Sequence, residues 1–424
     1  MSTPTSTGTP TGAPAGTGAL DRTDERLTDS SGARGLIGSS LRNIRDGDLG
    51  FLPVVVGLVI IAAIFQVLNP VFLSSVNLVN LTLDSAAVGV ISLGIVFVLL
   101  VGEIDLSVGS VSGFSAAITA VLFVRHSVPL GLAMLAACAV AVLIGLLYGV
   151  LLTKFGMPSF VASLSGLLAF LGLQLAILGD QGSINLPFDS TLVFFAQLAF
   201  LPAWLSYVLA AVFAGVFLVS RLGVRRRRTR SNLSAQPLGL IVGLAVLLLL
   251  GLEFVFWYLN RARGVGWMLV FFLILVLVAN YAITRTKWGR SLLAVGGNRE
   301  AARRSGINVS RIYWSAFVLT ALLASIGGLL SAGRLASANL SSGTGDVNLN
   351  AIAAAVIGGT SLFGGRGSAF SALLGTLVIA AIANGLTLLN LESSWRFVIT
   401  GVVLAVAVGI DSLARRSRAS HGRA

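Results

Sequence analysis

The chain has 424 residues, of which 56% are hydrophobic and only 11% charged, and its mean hydropathy is +0.93. This balance excludes a soluble domain and requires a polytopic membrane protein. The net charge of +13 comes mostly from arginines gathered in short blocks between apolar runs, which suits membrane loops and excludes a nucleic-acid surface with its basic residues spread over one folded face.

Met1 to Asp48 is rich in Ser, Thr, Gly and Pro and nearly free of large apolar side chains, so residues 1–48 are expected to be a disordered tail. The stretch lacks the short apolar core and small-residue cleavage site of a secretory signal. From Phe51 onward the chain is apolar. Lipid offers no partner to an unpaired backbone group, so the spans must be α-helices of about 20 residues. They read as Phe51–Leu68, Leu78–Gly102, Leu106–Val124, Leu130–Leu152, Ser159–Leu178, Ala203–Ser220, Leu238–Tyr258, Trp267–Ile283, Ile312–Gly333, Leu349–Leu362, Ala369–Leu389 and Phe397–Ile410. The expectation is therefore an all-α polytopic fold over 49–413 with roughly twelve spans, of which Leu349–Leu362 and Phe397–Ile410 are short for a core of about 30 Å. Residues 414–424 form a basic tail. The single cysteine, Cys138, lies within a span and cannot make an intrachain disulfide.

If the spans alternate, the blocks "RLGVRRRRTR" (Arg221–Arg230), the island Arg285–Arg311 and "RRSR" (Arg415–Arg418) all fall on one face. The positive-inside rule makes that face cytoplasmic and puts both termini there. The opposite face carries "GDQGSINLPFDS" (Gly179–Ser190) and "NLSSGTGDVNLN" (Asn339–Asn350), which are polar and poor in basic residues.

"VGEIDLSVGS" (Val101–Ser110) sets Glu103 and Asp105 between two apolar runs. A charge at membrane depth costs about 2.5 to 3.5 kcal/mol, so these groups face a cavity, a partner or the cytoplasm. One reading is a tight cytoplasmic turn. The other is a broken helix whose exposed backbone lines a translocation path, with Asp105, Ser107 and Gly109 as candidates. "IGGTSLFGGRGSAF" (Ile357–Phe370) is a second break of the same character and adds Gly358, Gly359, Thr360 and Ser361. The two breaks suggest related halves, although simple alternation gives them one orientation, which an inverted repeat would not.

Catalytic and cofactor motifs are missing. The only lysines, Lys154 and Lys287, follow no phosphate-binding GxxxxGK[ST] loop, so the chain cannot hydrolyse ATP by that route. The only histidines, His126 and His421, stand alone, and no His, Cys or carboxylate cluster has metal-ligand spacing. No enzyme activity, metal or cofactor is expected.

The island contains "NREAARRSGINVSR" (Asn298–Arg311), which reads as a short capped helix. Asn298 is the N-cap, Glu300 suits the positive end, Arg303 and Arg304 suit the negative end, and Gly306 stops the helix. Ala301, Ala302 and Ser305 form a small-residue face. So short a helix is marginal alone and needs something packed against it. A solvated basic loop would explain the arginines but not the caps, so a docking surface for a cytoplasmic partner is the stronger reading.

"GEIDLSVGS", "AVGGNREAARRSGINV", "AIAAAVIGGTSLFGGRGS" and "GVVLAVAVGID", in this order and spacing, resemble the permease subunits of sugar-importing ABC transporters of the ribose, galactose and xylose type. The resemblance runs from about Asn77 to Asp411. The family commonly has Gly where Glu103 stands. Shorter ribose-type permeases lack the helix, "RRRR" loop and helix at about 203–259, so this chain is most similar to the xylose type. The resemblance implies the ABC importer permease fold, a second permease copy as homodimer partner, a cytoplasmic ATPase subunit and an extracytoplasmic sugar-binding protein. It also implies that Asn298, Glu300, Ala301, Ala302 and Gly306 belong to the helix that couples to the ATPase, and that the translocated substrate is a monosaccharide such as xylose. An ion-coupled secondary transporter would have only Glu103, Asp105 and Glu253 to work with, and an ion channel would need a ring of charges or carbonyls.

The topology is testable in a Cys138→Ala background. Thr229→Cys and Ser305→Cys should react with an impermeant thiol reagent only from the cytoplasmic side, and Ser342→Cys only from outside. External labelling at position 229 would show that the extra helix pair has been misread.

Overall fold

The computed structural model describes residues 51–231, 235–344 and 346–392, together with 394, 395, 398, 399, 401, 402, 405 and 409. The tails 1–48 and 414–424 lie outside the described residues, as does most of the span expected at Phe397–Ile410. The chain divides into a larger unit of residues 49–209 and 252–424 and a smaller one whose described part falls within 210–251.

The larger unit begins with α1 (Leu52–Leu68), α2 (Ser75–Leu100), α3 (Val108–Ala120, prolonged by a wide turn at Val121–Arg125), α4 (Leu130–Thr153) and α5 (Ser159–Leu178). After β1 (Ser183–Asn185) come a short α6 (Thr191–Val193), the start of α7 (Ala203–Arg230), the end of α8 (Leu238–Asn260) and α9 (Trp267–Arg285). Two short helices, α10 (Lys287–Gly297) and α11 (Arg299–Arg304), precede α12 (Val309–Leu335), β2 (Ser337–Asn339), α13 (Asp346–Ile357) and α14 (Ala369–Leu388). Among the described residues, nine helices are long and apolar enough to cross a bilayer, and α1 and α13 are shorter apolar helices. The all-α polytopic reading stands.

Several expected boundaries are corrected. The span Leu349–Leu362 is the half-length helix α13, which ends at Ile357 because Gly358 and Gly359 follow. The Arg221–Arg230 block is not a loop: α7 runs through it to Arg230, since arginine is a good helix former and cations suit a helix C-terminus. In that smaller unit the Arg221 guanidinium sits 5.3 Å from the Phe217 ring centroid. Much of the basic island is helix as well. β1 and β2, unforeseen from the sequence, pair antiparallel with Ser183 opposite Asn339.

Burial separates inner from outer helices. The apolar windows of α2, α12, α3 and α14 are 89%, 72%, 67% and 61% buried, whereas those of α4, α5 and α9 are each 28% buried. Lipid is as apolar as leucine, so hydrophobicity alone does not draw helices together. Small residues do, because they let backbones approach and dispersion contacts accumulate. Accordingly α2 carries "SAAVGVISLG" and α12 carries "TALLASIGGLLSAG". α12 packs on α2, α3 and α4. Thr320 on α12 donates its hydroxyl to the Gly94 carbonyl on α2 at 2.8 Å, and Trp314 donates its indole N–H to Thr153 on α4 at 2.8 Å.

The helix pair α7–α8 leaves and returns at one point. Leu201 N–H donates to Val265 O at 2.8 Å and Trp267 N–H to Ala199 O at 2.9 Å, and the Asn260 amide donates to the Ser206 hydroxyl at 3.0 Å.

On α4, a Cβ at Gly145 would lie 2.5 Å from the Val318 Cα of α12, whereas one at Gly172 on α5 would have no atom within 4 Å. Gly145→Ala should therefore destabilise the solubilised protein by about 1 to 3 kcal/mol through overpacking. Gly172→Ala should be neutral or stabilising by up to about 1 kcal/mol from helix propensity. Thermal unfolding in detergent, followed by the loss of the monodisperse peak, measures both, and equal effects would contradict the packing account.

Candidate functional site: two helix breaks joined to a basic island

At the end of α2 the chain leaves helical geometry from Val101 to Ser107. Several of the freed groups are paired within the protein. Glu103 N–H donates to Val98 O at 3.1 Å and Ile104 N–H to the Ser159 hydroxyl at 3.3 Å. The Ser163 hydroxyl donates to Ile104 O at 3.4 Å, and the Asn348 amide of α13 to Leu106 O at 2.6 Å. Asp105, only 2% exposed, accepts the Ser107 backbone N–H at 2.8 Å and the Ser107 hydroxyl at 2.6 Å with one carboxylate oxygen. Asp105 and Ser107 thus close a local turn that starts α3. Sequence reasoning missed Tyr148 on α4, which lies beside Asp105 and Ser107 and is packed edge-on by Phe170 and Phe317. A lone tyrosine in an apolar helix carries no signal of this placement.

The second break, from Gly358 to Ser368, is similarly packed. Gly358 is buried where α13 meets Ser371 of α14. Thr360 N–H donates to Ala355 O at 3.0 Å and Ser361 N–H to Arg366 O at 3.0 Å, while the Ser361 hydroxyl accepts from Phe363 N–H at 3.3 Å. Of the expected path residues, Asp105, Ser107, Gly109, Gly358, Thr360 and Ser361 are buried, and Gly359 is exposed. They are brought together as parts of two tied-down breaks.

The two breaks meet each other. Gly365 N–H donates to Leu100 O at 3.0 Å. A Cβ at Gly364 would lie 2.8 Å from the Gly102 Cα and 2.7 Å from the Gly296 carbonyl oxygen, and one at Gly296 would lie 2.6 Å from Gly365 N. Backbone from both breaks and from the end of α10 therefore touches directly, with no room for a side chain. "VGGN" and "GGRG" were visible in the sequence, but no spacing announces that they meet.

The island is built on this junction. α10 turns Leu292 and Val295 inward, and Trp288 donates its indole N–H to Ser315 of α12 at 2.8 Å. The Asn298 side chain caps α11 by accepting Ala301 N–H at 2.9 Å, Glu300 lies 3.7 Å from Arg303, and Gly306 ends the helix with φ +82°. One expectation is corrected: Ala302 is only 4% exposed and faces the protein. The open face comprises Glu300, Ala301, Arg303, Arg304 and Ser305. Arg299 sits 5.3 Å from the ring centroid of Tyr313, whose hydroxyl lies beside the Glu103 carboxylate, so the island also reaches the first break through side chains. Among the described residues, no group of three or more His, Cys, Asp or Glu that could hold a metal ion accompanies this junction.

The family described as branched-chain amino acid transport system / permease component matches residues 77–408. The xylose transport system permease protein XylH of Escherichia coli (strain K12) is 34% identical over 368 residues, covering 84% of this chain and 92% of the relative. The ribose import permease protein RbsC of Bacillus subtilis (strain 168) is 31% identical, covering 86% and 94%. The probable ABC transporter permease protein YphD of Escherichia coli (strain K12) is 32% identical, covering 83% and 88%. No solved structure matches the chain significantly. With a family match over most of its length and, among the described residues, nine helices long and apolar enough to cross a bilayer, the chain is a multi-pass membrane protein that belongs to this permease family, among the sugar-importing ABC permeases of xylose and ribose type.

Proposed function

We propose that the chain is the membrane-spanning subunit of an ATP-driven importer that carries a monosaccharide, a pentose such as xylose, into the cytoplasm. The relatives named for xylose and ribose support the substrate class. A separate cytoplasmic ATPase supplies the hydrolysis for which this sequence has no motif. An extracytoplasmic binding protein delivers the sugar, and a second copy of the chain completes the path across the cell membrane, with both termini on the cytoplasmic side.

The observation that carries this reading is the junction of Gly296, Gly364 and Gly365 with Leu100 and Gly102, which ties an exposed, capped helix to both breaks. In the proposed mechanism α11 sits in a groove of the ATPase through Glu300, Ala301, Arg303 and Ser305. When ATP binding moves that groove, the glycine contacts pass the displacement to the ends of α2 and α13 without the slack of side-chain rotation. Asp105 and Ser107 keep the first break in one shape, so that the displacement reaches α3.

Two experiments test the assignment. Glu300→Lys with Gly306→Pro should leave the protein in the membrane at normal level but abolish both uptake and co-purification of the ATPase, because proline fixes φ near −65° and cannot occupy the left-handed turn at Gly306. Normal uptake with the ATPase retained would contradict α11 as the docking element. Asp105→Ala should reduce uptake by about tenfold or more at near-normal expression, since unpaired buried donors cost about 1 to 3 kcal/mol. Glu103→Gly, which removes a half-exposed carboxylate, should retain transport. The reverse ranking would move the structural role from Asp105 to Glu103.

A further inference from the structure

A cavity of about 260 Å³ opens between α2, α13 and α14, away from the breaks and the island. Its polar lining comes from Asp84 and Ser85 on α2, Asn350 on α13, and Thr376, Asn384 and Thr387 on α14. On α14 the lining positions Thr376, Ala380, Ala383, Asn384 and Thr387 recur at three- and four-residue spacing and so form one stripe along the helix. Asn384 exchanges amide hydrogen bonds with Asn77 at 2.7 and 3.0 Å and the Thr387 hydroxyl donates to Ala383 O at 2.8 Å, so these polar groups are held in place along the cavity side of the helix.

Three further observations specify what the cavity takes. The Thr376 hydroxyl is fully buried and without a partner in a residue only 1% exposed, and buried hydroxyls in native proteins are satisfied by protein, water or ligand. Among the described residues Asp84 is the only ionisable one lining the cavity, and its carboxylate is held by Arg334 Nε at 2.8 Å, so this lining leaves no uncompensated charge. Arg334 also donates to Asn80 Oδ1 at 3.2 Å, which fixes the pair at the mouth. The volume lies just below the range of about 300 to 1,000 Å³ for sites holding drug-sized ligands. A zwitterionic amino acid would need a partner for each of its charges. A neutral polyhydroxylated solute needs only donors and acceptors of the kind present.

We propose that this cavity is the solute site within the membrane, taking one neutral polyol of monosaccharide size, with Asp84 and Thr387 at its mouth and Asn350 and Thr376 deeper. The assignment rests on the sugar-import reading for its ligand class but not for its location.

The test uses cells carrying the complete transport system and the full chain in a Cys138→Ala background. Ala380→Cys and Ala383→Cys should react with an impermeant thiol reagent from outside, while Leu168→Cys, on the exposed face of α5, should not. D-xylose or D-ribose should slow labelling at 380 and 383 by about fivefold, and Thr376→Val should lower uptake by about fivefold with Thr376→Ser restoring it, as expected for one hydrogen bond to the solute. Cysteines at 380 and 383 as inert as the one at 168 would overturn the cavity as a path for any solute. Labelling that no solute slows would overturn it as a binding site. Labelling slowed by L-leucine and by no sugar would overturn the sugar reading and the polyol assignment, while leaving a wet cavity in place.

Discussion

A backbone that leaves helical geometry inside a bilayer must find its hydrogen-bond partners within the protein, and much of this structure follows from that constraint. Asp105 and Ser107, Ser159 and Ser163, and Asn348 all stand where they satisfy groups released between Leu100 and Val108. The second break satisfies itself through Ser361 and Arg366, and is joined to the first by the bond from Gly365 to Leu100. The breaks are thus irregular in shape but closely specified.

The same scarcity of driving force explains the arrangement of the helices. Since lipid solvates leucine as well as another helix does, the buried helices are those whose small residues permit contact, with α12 at the centre against α2, α3 and α4. The outer helices α4, α5 and α9 keep large aliphatic side chains toward the surroundings.

The capped helix α11 presents charge outward and buries Ala302 and the inner face of α10, so it is anchored on one side and open on the other. The excursion through α7 and α8 is closed at its root by backbone bonds around Leu201 and Val265.

Composition and periodicity determined the membrane class, the helical fold, nine of the twelve expected spans and the caps of α11, because each depends on local chemistry: hydropathy over about 20 residues, or a side chain reaching a neighbouring N–H. Asn298, Glu300 and Gly306 were readable for that reason, and the family signatures were readable as strings. The half-length α13, the helical course of Arg221–Arg230, the inward turn of Ala302 and the pairing of β1 with β2 were decided by packing. So were the meeting of Gly102, Gly296 and Gly364 and the cavity shared by Asp84, Asn350 and Thr376. Each of these joins residues far apart in the chain, and a glycine or threonine within an apolar run looks the same in sequence whether it faces lipid, a neighbouring helix or a solute. Only the packed helices settle which of these it meets.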